Sequence, residues 1–287
     1  MHKLNRPISV GFLCGELGLE YSGDENKLIE SIAPLNGVSD SCLTFSIKDS
    51  YQSFEDIFPI VLCSTVKDGV TTIITSGPRL DFIRALEFID KTVGFQKSQI
   101  PPIIHETVTI SEGVVIENGV TIGEGSYIEP NVTIHENTKI GRNCLIRSNS
   151  SIGSSGFGFE RTAEGIPIKF IHLGGVSIGD NVEIGSCTCI AKGTMSDTII
   201  ESNVKIDNLV HIAHNCKIKE GSFVIACAEV SGGVEVGKNS WVAPNSSINQ
   251  KLVIGENSIV GLGAVVTKNI PDNTVFAGNP AKKLRDL

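Results

Sequence analysis

From Ile104 onward an aliphatic residue stands at every sixth position, with small and polar residues between. The series runs Ile104, Ile110, Ile116, Ile122, Ile128, Ile134, Ile140, Ile146 and Ile152, resumes at Ile178, Ile184 and Ile190, and then continues from Ile200 through Ile212, Val224, Val236 and Ile248 to Val266. Twenty-four hexads carry no other residue type at the key position. An α-helix advancing by six residues rotates its side chains off the starting face, and six is not simple strand alternation. A short strand followed by a corner, repeated, does fit. Isoleucine and valine are stiff at χ1 and suit strands, while Gly123, Gly141, Gly153, Gly179, Gly185, Gly255 and Gly261, each directly after a key residue, suit corners with unusual backbone angles. Three faces per coil would close a triangle around one aliphatic column. The expected architecture is a parallel β-helix of eight coils, roughly 38 Å tall at about 4.8 Å per coil.

Two interruptions break the period. The first, Gly153 to Gly175, leaves 26 residues between Ile152 and Ile178; the second lies around GTMSDT, Gly193 to Thr198. Loops thrown out from a rigid repeat are where binding residues usually sit. Before Pro101 the hexads are absent. CLTFSI, PIVLCST and TTIITSG read as short buried strands, and Pro78 followed by RLDFIRALEFIDKTV reads as an amphipathic helix with Phe82, Ile83, Leu86, Ile89 and Val93 on one side. The division expected is a small α/β domain over 1–98, a linker with paired prolines, a β-helix over 103–270 and a tail over 271–287.

Composition narrows the function. The 24 basic and 32 acidic side chains give a net charge of −8 with no basic cluster, which argues against a nucleic-acid partner. No apolar run is long enough to span a bilayer, and the first twenty residues, interrupted by Glu16, do not resemble a signal peptide, so the expected location is the cytoplasm. Eight cysteines spread over 287 residues are expected to be reduced thiols rather than a disulfide framework.

The hexads resemble the hexapeptide-repeat acyltransferases, which implies a mainly β protein, a left-handed parallel β-helix preceded by a small α/β domain, and assembly as a homotrimer. Within that superfamily LNGVSDSCLTF, GFGF and VEIGSCTCIAKGTMSDTIIESNVKIDNLVHIAHN are similar to the UDP-3-O-(3-hydroxyacyl)glucosamine N-acyltransferase family of lipid A synthesis, in which a uridine-binding domain precedes the β-helix. The resemblance places an aromatic pair that sandwiches the base at Phe45 and Tyr51, with Lys48 where the family carries asparagine, so uridine and thymidine diphosphate sugars both stay open. Gly156, Phe157, Phe159 and His172 of the long insertion, with Asn208 and His211, complete the expected acceptor site.

Moving an acyl group from a thioester to an amine needs a base for the ammonium proton, and imidazole titrates nearest working pH. His214, two residues after Ile212, should point away from the core, and the resemblance puts the catalytic histidine there, supported by Asp207. Lys251 stands where the family has a histidine that donates to the reacting carbonyl, although corner amides could serve equally. No covalent intermediate is required, and Cys216 and the Cys187/Cys189 pair are read as interior or corner residues. No metal is expected, since a zinc set from His211 and His214 would need His172 or another subunit.

The closing segment NIPDNTVFAGNPAKKLRDL resembles short-chain acetyltransferases that line a coenzyme A channel. Gly263, Ala264 and Gly278 would let a pantetheine arm approach the backbone, and Lys268, Lys282 or Lys283 would meet its phosphates. Trp241 should face outward. Together these imply an N-acyltransferase that moves a short acyl group from acyl-CoA to a nucleotide-linked amino sugar. The alternatives are the lipid A enzyme itself with an acyl carrier protein donor, and a nucleotide-sugar scaffold without catalysis.

Overall fold

The computed structural model describes residues 1–47, 54, 56–66 and 69–287. Lys48 and Tyr51 lie outside the described residues. The chain forms two compact units, the first made of residues 1–97 and 158–173, the second of 98–157 and 174–287. Most of the long insertion is therefore counted with the N-terminal unit.

In the first unit the expected strands are Cys42–Phe45, Ile60–Cys63 and Thr71–Ile74, and the expected helix is Pro78–Thr92. The sheet has six strands, parallel at its centre from Leu28–Ile32 to Thr71–Ile74 and edged by antiparallel His2–Ser9 and Glu20–Ser22. Fully buried strands read as continuous apolar runs, which is why IVLC shows no alternation. The helix starts on Pro78, whose missing N–H costs nothing in the first turn, and buries Phe82, Ile83, Leu86 and Ile89. Asp81 accepts from Arg84 at 2.7 Å and from the Thr75 hydroxyl.

The second unit is a parallel β-helix with three sheets of eight, ten and eight strands. Successive strands on each face come from successive coils, so Ile122 pairs in register with Ile104 and Ile140, and Ile128 with Ile110 and Ile146. The key aliphatics stack into one axial column in which Ile128, Ile146, Ile190, Ile212, Val230 and Val242 are inaccessible to solvent. Residues 271–287, expected as a tail, add Thr274–Ala277 and the antiparallel Lys282–Asp286 to the second face.

The corners correct one expectation. The left-handed residue does not directly follow the key aliphatic, Gly153 excepted; it comes three positions after it, at Gly113, Gly119, Gly125, Asn131, Asn143, Asn149 and onward. Glycine and asparagine tolerate that region at least cost. Gly123, Gly141, Gly185 and Gly255 are needed instead because coils approach closely there. A Cβ on Gly185 would lie 2.3 Å from the Asp207 carbonyl carbon, and one on Gly141 2.5 Å from the Gly179 oxygen.

Candidate active site

His214 sits at an edge of the β-helix, just after the strand His211–Ile212 whose Ile212 fills the core. Its ring is fixed by its sequence neighbour. Nδ1 lies 3.0 Å from Asn215 Oδ1, and that oxygen also accepts from the Thr194 amide at 3.1 Å and the Thr194 hydroxyl at 2.9 Å. Asn215 Nδ2 donates to the Ser196 carbonyl at 3.2 Å, which settles the orientation of the amide. Oδ1 can only accept, so His214 Nδ1 carries the proton and Nε2 is the basic nitrogen. The short second interruption thus has a structural task, because Thr194 and Ser196 hold the residue that holds the imidazole.

Gly232, one coil on, makes room for the ring. A Cβ there would lie 2.7 Å from His214 Cε1 and 2.8 Å from Nε2. Gly156, Phe157, Ala191, His211, Ala213, Glu229, Ser231, Asn249 and Gln250 complete, with these two, a cavity of about 370 Å³. The Glu229 carboxylate accepts from the Ser231 hydroxyl at 3.0 and 3.1 Å. Lys251 holds the next corner, its amide donating to the Gly232 carbonyl at 2.9 Å, but its exposed side chain is not part of the cavity wall.

Asp207 stands elsewhere. It lines a separate cavity of about 340 Å³ on the second face, with Arg147, Glu183, Lys205, Asn208, Phe223 and Trp241 among its walls. Its carboxylate accepts from the Asn208 amide at 2.7 Å and the Ala226 amide at 3.2 Å. Seven residues separate Asp207 from His214, a full strand and corner, so one protomer does not bring them together. Within the protomer the Nδ1 side of the imidazole meets Asn215, which sequence reasoning missed although the residue is the last letter of IAHN. Gly232 was missed too, since a glycine that accommodates another coil's side chain leaves no local signal.

The remaining expected residues scatter. Phe157 is 88% exposed at the rim of the His214 cavity. Phe159 and His172 belong to the first unit; His172 is buried, and its Nδ1 donates to the Phe170 carbonyl at 2.8 Å. Phe45 is half-buried with its ring 4.7 Å from Phe82, which meets Phe170 edge-on at 6.0 Å. Asn208 Oδ1 accepts from the Ser186 amide at 2.7 Å. Of the residues assigned to coenzyme A, Ala264 is wholly buried in the core of the β-helix, whereas Gly263, Lys268, Gly278 and Lys282 are exposed. Trp241 faces outward as expected, edge-on to Phe223 at 5.3 Å. Among the described residues no group of three or more His, Cys, Asp or Glu side chains could hold a metal ion, and no helix is long and apolar enough to cross a membrane.

Fold and repeat together define a hexapeptide-repeat β-helix protein. Residues 101–136 and 119–154 match the family described as Bacterial transferase hexapeptide (six repeats). The chain is similar to the UDP-3-O-acylglucosamine N-acyltransferase of Campylobacter lari, 37% identical over 133 residues that make up 46% of this chain and 42% of that protein. It is 41% identical over 127 residues to the enzyme of that name from Saccharophagus degradans, covering 44% of this chain and 37% of that one. The matched stretches thus span about two fifths of the length of these relatives. Among solved structures, the UDP-N-acetylglucosamine acyltransferase of Francisella novicida superposes with a TM-score of 0.55 at 26% identity, covering 64% of this chain and 68% of that one. LpxA of Acinetobacter baumannii gives 0.54 at 25%, covering 67% and 74%.

Proposed function

We propose that this protein is an N-acyltransferase that moves an acyl group from a thioester to the amine of a nucleotide-linked amino sugar, with His214 as the general base. One observation carries the reading: Asn215 fixes the Nδ1-protonated tautomer, so Nε2 is the nitrogen able to take a proton at a cavity wall kept open by Gly232. The amine attacks the thioester carbonyl, the N–C bond forms, Nε2 takes the ammonium proton, and the thiolate leaves with the C–S bond pair and receives that proton from Nε2 to depart as the thiol. Imidazole chemistry of this kind contributes roughly 10²–10⁴ in rate.

The names of the relatives favour a UDP-3-O-acylglucosamine acceptor over the short-acyl reading. Asp207 acts across a subunit boundary, from the second-face cavity of one copy to the His214 edge of another, in a cytoplasmic homotrimer. Phe45 offers its ring to the nucleotide base. Gly263, Gly278 and Lys268 remain the residues proposed to meet the donor if it is a coenzyme A thioester; an acyl carrier protein would dock over a wider surface.

The test is a mass-spectrometric survey of UDP-linked and dTDP-linked amino sugars against acyl-CoA and acyl carrier protein thioesters. Acylated UDP-3-O-acylglucosamine with release of free thiol is the expected product. Binding of the sugar with no transfer from any thioester would leave the scaffold reading in its place. Mixed oligomers of Asp207→Ala and His214→Ala protomers should regain part of the activity that neither variant has alone, because some boundaries would then carry two intact residues.

A further inference from the structure

The sequence sets Cys216 and the Cys187/Cys189 pair among interior or corner residues, and the third face changes that for Cys189. Its rungs align Ser151, Cys189, His211, Glu229 and Ser247 in direct register. In that column Ile190, Ile212 and Val230 point inward, so Cys189, His211 and Glu229 project outward. Adjacent strands lie about 4.8 Å apart, which sets the thiol directly beside the imidazole. Cys189 is half-buried, and its sulfur lies 3.5 Å from the Ser154 hydroxyl.

We propose that Cys189 and His211 form a thiol–imidazole pair on the outer third face, a nucleophilic modification site for soft electrophiles that borders the His214 cavity and whose nucleophile is the Cys189 sulfur. A thiol becomes a nucleophile as its thiolate, and a neighbouring imidazole favours that form. The shifts agree in direction on both partners. Hydrogen bonding to His211 holds the Cys189 thiol below its ordinary range against opposing burial, with Ser154 assisting. Hydrogen bonding to Cys189 raises His211 in turn, again against burial, and the Glu229 charge adds to it. Burial moves other thiols the opposite way, Cys14 to about 11 and Cys216 to about 12.

The other polar groups around the pair are accounted for. Lys192, on the strand of Cys189, pairs with Glu136 at 3.5 Å, and the Ser151 hydroxyl lies 3.4 Å from His135 Nε2, whose ring also meets Glu117 at 3.1 Å. In the reaction Sγ forms a bond to the electrophilic carbon while the leaving group departs with its bonding pair; the proton stays on His211 until solvent takes it. Ala191, two residues along the same strand, lines the His214 cavity with His211, so an adduct on Cys189 would narrow that cavity.

The experiment is alkylation of the folded full-length chain with iodoacetamide, with the rate at each cysteine followed by peptide mass spectrometry at pH 8.5 and 6.5. An ordinary thiol loses roughly tenfold in thiolate per pH unit below its pKa. A small-molecule thiol of ordinary pKa, added as an internal reference, falls by about that factor per unit, whereas Cys189 should fall less steeply than the reference. His211→Gln, a change at an exposed position, should give Cys189 the steeper fall of the reference thiol, and Ser154→Ala should produce a smaller change in the same direction. The proposal is overturned if wild-type Cys189 follows the reference thiol in its pH dependence, or if His211→Gln leaves the Cys189 profile unchanged. None of these readouts depends on acyl transfer, so they stand or fall independently of the proposed activity.

Discussion

Replacing Gly232 with alanine adds one methyl group and should disable the site without unfolding the protein. The new Cβ would stand 2.7 Å from His214 Cε1 and 2.8 Å from Nε2, where carbon contacts relax at about 3.5–4.0 Å. Gly232 is not in the left-handed region, so alanine fits its backbone, and the ring is the part free to yield. The imidazole must retreat by about 1 Å, straining the Nδ1 hydrogen bond to Asn215 and moving Nε2 from its place. A misplacement of that size costs on the order of 100-fold in kcat, about 2.7 kcal/mol of barrier. The assay is steady-state acyl transfer with saturating donor and acceptor, accompanied by thermal melting. We expect kcat to fall about 100-fold while Tm stays within a few degrees, since Gly→Ala at a compatible backbone position changes stability by only about 1 kcal/mol. In a His214→Ala background the same change should add almost nothing, because the two act on one group. Wild-type kcat in Gly232→Ala, or an undiminished further loss in the double variant, would refute the reasoning.

Asn215→Ala removes the acceptor that selects the His214 tautomer and should lower kcat about 10- to 100-fold, whereas Asn215→Asp keeps an acceptor and should retain more activity with a pH–rate profile displaced upward, as kinetics at several pH values would show. Ile146→Ala, in the fully buried column, should cost about 2–5 kcal/mol in denaturant unfolding, and a loss below 1 kcal/mol would mean that the coil collapses around the gap. Hydrogen bonds from the Arg142 side chain and amide hold the Asp180 carboxyl below its ordinary 3.8. The folded value being the lower one, this contribution is present above pH 3.8 and is lost as the pH falls through the depressed value. Asp180→Asn should therefore flatten the drop in Tm between neutral pH and pH 3, and an unchanged slope would exclude the linkage.

The period of six was legible because each hexad puts one side chain into a shared column, where a polar residue would be costly. For that reason Ile190 and Val242 could be placed in the core unseen. The corners were only half legible. Gly123 and Gly141 meet a neighbouring coil eighteen or more residues away, a contact no local pattern reports. The left-handed positions three residues after the key aliphatics, mostly glycine and asparagine but also Cys187, Leu209, Cys227 and Lys251, were placed two residues too early. The histidine of IAHN was found from the chemistry that imidazole performs and from a resemblance. Its orienting partner was assigned to Asp207, whose carboxylate instead accepts two corner amides in this protomer, as turn aspartates commonly do. Cys189 was misjudged for a simpler reason: inward and outward positions alternate along the strand, and the residue before Ile190 had to face out.

The most direct test of the proposed chemistry is the turnover of His214→Ala with UDP-3-O-acylglucosamine and an acyl thioester, both saturating. A loss of at least roughly 100-fold in kcat, with the sugar still bound and the fold intact, is the expected result. Unchanged kcat under those conditions would mean that another group takes the proton from the amine.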